Sequence, residues 1–142
     1  MKLLLLSLLA FCAFIPDNNK HVCPIKSIKV IAIKQGVDPG SGANVDCYSF
    51  EDALRDDLDT FVIRSHEHHK QLSDYINAAT NGDGEEVDAK ARMYIQYSSG
   101  KVDTLCLGAM SHFVKNGRPK TLLKMNLLDV VNYYRQREGG KK

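Results

Sequence analysis

Ser65-His66-Glu67-His68-His69 sets three imidazoles and a carboxylate in one short run, the donor types of a zinc or copper site. On a helix His66 and His69 share a face at i, i+3, so His66, His68 and His69 are the candidate metal ligands. The familiar helical zinc pattern instead spaces its histidines at i, i+4 and draws a third ligand from elsewhere. No motif places His112 or His21 for that role. Histidines in a helix's first turn are also ordinary exposed residues.

Other groups with chemical potential fall short of a site. Asn81-Gly82-Asp83-Gly84-Glu85-Glu86 has the composition of a calcium loop, but not the alternating oxygen ligands and twelfth-position glutamate of an EF-hand. Gly36, Gly40 and Gly42 do not follow a phosphate-loop spacing, and no lysine stands where such a loop needs one. A hydrolase would have to use Ser111 or Cys106 with His112 and Asp103. Adjacent Ser111 and His112 point to opposite faces of a strand, and Cys106 among leucines is expected to be buried. Without a convergent acid, base and nucleophile, the expectation is a non-catalytic protein that uses no cofactor.

The elements that would carry these residues centre on Ala89 to Met125. Ala91, Met93, Ile95 and Tyr97 alternate with Arg92, Tyr94, Gln96 and Ser98, the period of a strand buried on one face. Val102 to Gly108 follows, and Asn116-Gly117 between apolar runs predicts a hairpin through a type I′ turn. Upstream, residues 25–33 are β-branched and bounded by Pro24 and Gly36, which predicts a strand. Gln35 to Asp46 is a loop. Ser49 is expected to start a helix that ends near Asp59, with Phe50, Leu54 and Leu58 as its stripe, and Thr60 to Ile63 is a short strand. Ser65 caps a helix from His66 to Ala79, with Leu72 and Ile76 inward, and Asn126 caps the last one. Together these predict an α+β fold: an antiparallel sheet of about four or five strands with two or three helices packed on one face.

A chain of 142 residues supports a single core. Lys2 followed by the apolar run Leu3 to Ile15 has the form of a secretory signal peptide, too short to span a bilayer. We therefore expect a signal peptide over 1–15 and one α+β domain over 16–142, secreted or periplasmic, without a transmembrane span in the mature chain. Cleavage after Cys12 or Ala13 fits, and lipid attachment at Cys12 is the alternative. Without Lys2 the charge falls from +2 to +1, and no basic stripe argues for nucleic acid or an anionic membrane.

Export leaves Cys23, Cys47 and Cys106, and an oxidising compartment favours pairing two of them. Cys106 lies mid-strand and Cys47 just before a helix that should pack on the sheet, so Cys47 with Cys106 is the expected disulfide. The third thiol is free, buried or intermolecular. Cys106 as a small buried hydrophobe is the alternative.

The run Ala91 to Tyr97, then Gly100-Lys101-Val102-Asp103-Thr104-Leu105-Cys106-Leu107, then Val114-Lys115-Asn116-Gly117-Arg118-Pro119, resembles small exported bacterial proteins of uncharacterised function. More loosely, it is similar to domains of the β-lactamase-inhibitor-protein type, in which helices are followed by strands joined through a D/N-G-K turn. The resemblance spans Thr60 to Tyr134 and implies a helix-on-sheet domain with a bias toward protein binding. The functional expectation is an exported binding module, an inhibitor, immunity-type or envelope accessory protein, that meets another protein through a sheet face or the Gln35 to Asp46 loop. The alternative is a metal-binding protein or metal-dependent enzyme built on His66, His68 and His69.

Overall fold

The computed structural model describes residues 24–38, 44–84 and 86–139, so the expected signal segment with Cys12, and His21 and Cys23, lie outside the described residues. In chain order the elements are β1 (Ile25–Ile33), α1 (Phe50–Ala53), a 3-10 turn (Arg55–Asp57), β2 (Leu58–Ile63), α2 (His66–Ala78), β3 (Thr80–Asn81), β4 (Ala89–Tyr97), β5 (Val102–Gly108), β6 (His112–Lys115), β7 (Arg118–Thr121) and α3 (Leu127–Gly139). The strands form one sheet in the order β2-β1-β4-β5-β6-β7-β3, every neighbouring pair antiparallel.

The α+β class holds, but the sheet has seven strands rather than four or five. Asn116-Gly117 divides two full strands, with Asn116 at φ 50° and Gly117 at φ 75°, as a I′ turn requires. Thr80 and Asn81 are recruited as an edge strand by backbone pairing with Thr121 and Lys120. Lys120 Nζ adds a hydrogen bond to Asn81 Oδ1 at 2.7 Å.

Two helices, α2 and α3, share one face of the sheet as expected, and α1 lies on the other. Ile28, Val30, Met93, Ile95, Leu105, Leu107 and Phe113 form one side of the sheet's core, closed by Leu72 and Ile76 of α2 and by Leu127, Val131 and Tyr134 of α3. The opposite pleat carries Ile31, Ala89 and Cys106, and these are covered by Val45, Phe50 and Leu54. Alternation places Ile31 and Cys106 away from the larger core, so the second face needs its own cover.

That cover is a strap, residues 44–57, crossing the second face. At one end Val45 accepts a hydrogen bond from the Ala89 amide at 2.8 Å, and its own N–H donates to Asp88 Oδ1 at 3.2 Å. In the middle the Cys47–Cys106 disulfide fixes it to β5, the pairing expected from the sequence. At the far end the Lys34 amide donates to the Asp57 carbonyl at 2.8 Å. The strap's helix stops at Ala53 instead of continuing to Asp59. Asp56, Asp57 and Asp59 would sit at a helix C-terminus, where the dipole disfavours carboxylates, and pairing of Leu58 with Ile33 demands extended chain.

Candidate functional site

The three histidines at the start of α2 do different things. The His68 ring stacks on Tyr134 with centroids 3.9 Å apart, and its Nδ1 lies 2.8 Å from Glu138 Oε1. His69 is buried, its Nε2 2.7 Å from the Ile63 carbonyl oxygen and its Nδ1 without a partner. His66 is exposed and meets the His69 ring edge-on at 5.8 Å. Among the described residues no three His, Cys, Asp or Glu side chains are gathered to hold a metal ion. His68 and His69 instead seat α2 on α3 and on the end of β2.

Glu138 completes that seat from a distant part of the chain. Its carboxylate accepts from the Arg64 and Ser65 amides at 2.6 and 3.2 Å, just ahead of α2, while Ser65 Oγ accepts from the His68 amide as the expected cap. Burial alone would raise the Glu138 carboxyl, but the Arg64 amide, His68 and the Ser65 amide outweigh it and hold it below its ordinary value of 4.5. A carboxylate depressed by folding stabilises above its unfolded value and loses that contribution as pH falls below it. Glu138→Gln is therefore expected to cost about 1–2 kcal/mol at neutral pH. In urea titrations its deficit against the parent should shrink below pH 4.5.

The residues considered for hydrolysis are likewise dispersed. Cys106 is in the disulfide, and His112 Nδ1 lies 3.0 Å from Thr121 Oγ1. Asp103, 1 % exposed, accepts from Tyr97 Oη at 3.0 Å and Asn116 Nδ2 at 2.9 Å, and pairs with Lys101 and Lys115, each at 3.1 Å. Asn116 also binds Thr104 in both directions: its amide donates to the Thr104 carbonyl at 2.8 Å, and its Oδ1 accepts from the Thr104 amide at 2.7 Å. This buried carboxylate clamps the β6–β7 turn to β5. Asp103, considered above as the acid of a hydrolase, is here a structural tie.

The second face of the sheet is the surface whose construction fits recognition. Tyr48 projects from the strap with 81 % of its surface exposed. Its backbone is held all the same, because Asp46 Oδ1 accepts from the Tyr48 and Ser49 amides at 2.7 and 2.9 Å, and Asp46 Oδ2 accepts from Ser49 Oγ at 2.8 Å. The Ser49 amide and hydroxyl, then the Tyr48 amide, keep the Asp46 carboxyl below its ordinary value. Cys47 next door is covalently anchored, so an exposed aromatic stands on a doubly fixed turn.

Beside Tyr48 runs a groove of about 230 Å3 lined by Arg92, Thr104, Cys106, Val114, Asn116 and Gly117. A second hollow of about 570 Å3 continues past Tyr48 toward Val87, Asp88 and Pro119. Glu51 of α1 accepts from Tyr94 Oη and, at 3.3 Å, from Arg92 Nη1, fixing the wall of the groove. Burial, then the Glu51 bond, raises the Tyr94 hydroxyl and keeps it a donor.

Beyond Thr104 the sheet is open. Thr60 and Val62 of β2, Lys29 of β1, Gln96 of β4 and Val102 of β5 are exposed on this side, with one cation among them. The strap reaches only the Ile31 to Ile33 end of β1. Of the Gln35 to Asp46 loop, residues 39–43 lie outside the described set; 44–46 belong to the strap. Tyr48 lies outside both the loop and the sheet face expected above, and its local signal is Asp46 two residues before an aromatic and next to a cysteine.

Among the described residues no helix is long and apolar enough to cross a membrane. No family model, no curated protein and no solved structure matches the chain.

Proposed function

We propose that this chain is an exported, non-catalytic binding module that engages another protein through Tyr48 and the open half of the second sheet face. The observation that carries the reading is the 81 % exposure of Tyr48 on a turn braced by the Asp46 carboxylate and the Cys47–Cys106 disulfide. Tyrosine supplies large contact area at low entropic cost, and a preformed backbone lowers that cost further.

A protein partner needs more surface than the open strip alone offers. The open strip covers four strands about 4.8 Å apart and about 13 Å long, roughly 250 Å2. A stable protein interface buries about 800 Å2 per partner. The partner must therefore extend across Thr104 and over the strap, which places Tyr48 near the centre of the contact. The disulfide supports an oxidising compartment, in keeping with the signal-like N-terminal run.

Tyr48→Ala is expected to weaken binding by about 2 kcal/mol, roughly thirtyfold, while leaving the unfolding midpoint unchanged. Val102→Glu should act in the same direction by placing a charge on the open strip. Titration of each variant against a partner isolated with the parent chain tests this. Parent-like affinity in both variants would remove the reading.

A further inference from the structure

Asn-Gly occurs twice in the chain, at Asn81-Gly82 and Asn116-Gly117. The step is chemically labile, because the glycine amide nitrogen can attack the asparagine side-chain carbonyl carbon, Cγ, with no Cβ to hinder it. The other described asparagines precede Val45, Ala78, Leu127 and Tyr133, whose side chains stand in the way. The fold treats the two labile steps very differently.

At Asn116 the side chain is held at both polar atoms. Nδ2 donates to Asp103 Oδ1 at 2.9 Å, and Oδ1 accepts from the Thr104 amide at 2.7 Å. Swinging Cγ onto the Gly117 nitrogen would break both bonds and take a donor from a carboxylate that is 1 % exposed. The reaction is open there only when the β6–β7 turn has come away from β5.

At Asn81 the backbone is held far more lightly. The Gly82 amide donates to the Pro119 carbonyl at 3.1 Å, one step past the Asn81 and Lys120 pair. Hydrogen-bonded and non-hydrogen-bonded pairs alternate along an antiparallel ladder, so Asn81 turns its own backbone groups to the outer edge. Pro119 has no N–H to return, so the Gly82 pair has one bond where a full pair has two. β3 has only two residues, and the ladder ends at this point. Loss of one hydrogen bond at a strand end therefore frees the attacking nitrogen. The exposed Asn81 side chain meets Lys120, whose Nζ donates to Oδ1 at 2.7 Å. That ammonium leaves Cγ open and stands where negative charge develops on Oδ1 during attack.

We propose that Asn81 is a site of spontaneous deamidation, and that its isoaspartyl product releases the β7 edge. The Gly82 nitrogen gives its proton to solvent and forms a bond to Asn81 Cγ. The Cγ–Nδ2 bond breaks, ammonia leaves, and a succinimide closes. Water then opens either carbonyl of that ring, giving aspartate or isoaspartate. Aspartate keeps the main chain and faces Lys120 with a carboxylate. Isoaspartate routes the main chain through Cβ, so Thr80 and Gly82 no longer reach Thr121 and Pro119 together. β7 then lies uncovered, with unpaired backbone groups at the sheet's edge.

The test follows the full chain at mildly alkaline pH, folded in one sample and reduced in guanidinium chloride in another. Peptide mass spectrometry reads conversion of amide to acid at each asparagine, and labelling by an isoaspartyl methyltransferase reads the rearranged product. In denaturant the two Asn-Gly steps should react at similar rates. On folding, Asn116 should slow by about a hundredfold or more and Asn81 by less than about tenfold, the difference between opening a bonded turn and fraying a strand end. Pro119→Val, which restores an N–H facing β3, should slow Asn81 about fivefold in the folded chain and leave it unchanged in denaturant. In the isoaspartyl form the Thr121 amide, bonded toward β3 by the same alternation, should exchange faster than in fresh protein. Equal protection of both steps, or reaction at Asn116 ahead of Asn81, would overturn the proposal. An isoaspartyl form with Thr121 protected as before would overturn the released edge.

Discussion

Replacing Cys47 and Cys106 together with alanine is expected to lower stability by about 4 kcal/mol, the chain-entropy value for a loop of this length. The bridged residues are 59 positions apart, so the disulfide removes a large share of the unfolded chain's freedom. The native state suffers as well. The strap covers Ile31 and Ala89 chiefly through fully buried Phe50 and flanking Val45 and Leu54, a cluster far smaller than the one under α2 and α3. Without its covalent anchor the strap should open before the sheet melts. Urea unfolding of the oxidised parent and the double variant gives the magnitude. Hydrogen exchange should show early loss of protection at the Ala53 and Leu54 amides, which bond within the strap. An unchanged midpoint would mean that the cluster alone holds the strap.

Asp103→Ala is expected to cost about 3 kcal/mol, because it strands donors that now converge on one buried carboxylate. Tyr97, Asn116 and Lys115 would lose their acceptor inside the sheet's end, while the more exposed Lys101 would turn to solvent at little cost. The pH dependence identifies the cause. Burial would raise the Asp103 carboxyl, but the bonds from Asn116, Lys101, Lys115 and Tyr97 reverse that and hold it far below its ordinary 3.8. Its contribution is therefore complete above 3.8 and is lost as pH falls from there toward the depressed folded value. Tyr97, pushed up to about 12 by burial and by Asp103, remains a donor throughout that window. Chemical denaturation from pH 7 downward should show the gap between parent and Asp103→Asn closing in acid. A gap that persists unchanged at pH 3 would place the loss in packing instead.

Features fixed by neighbours in sequence were legible. The alternation through β4 gave its buried face, Asn116-Gly117 gave the hairpin, and Ser65 gave the start of α2. The disulfide followed from placing Cys47 and Cys106 on elements that had to touch. What escaped was decided at long range. β3 exists because Thr121 and Lys120 offer it an edge, and α1 ends early because Leu58 must pair with Ile33. Glu138 reaches back 73 residues to the Ser65 amide, and no local pattern announces that. The histidine run was conspicuous by composition, yet the rings' surroundings divide it between a stack on Tyr134, a bond to Ile63 and an exposed side chain. Tyr48 carries only the short local signal of Asp46 and Cys47 before it, and its exposure is decided by the strap's fixed turn over the second face.

Site-specific photo-crosslinking tests the binding face most directly. A photoreactive residue is placed singly at Tyr48, at Val102 and, as a control, at Asp74 on the outer side of α2. The account predicts that Tyr48 and Val102 capture the same protein from the exported fraction and that Asp74 captures none. Capture from Asp74 with none from Tyr48 and Val102 would place recognition on the helical side and contradict it.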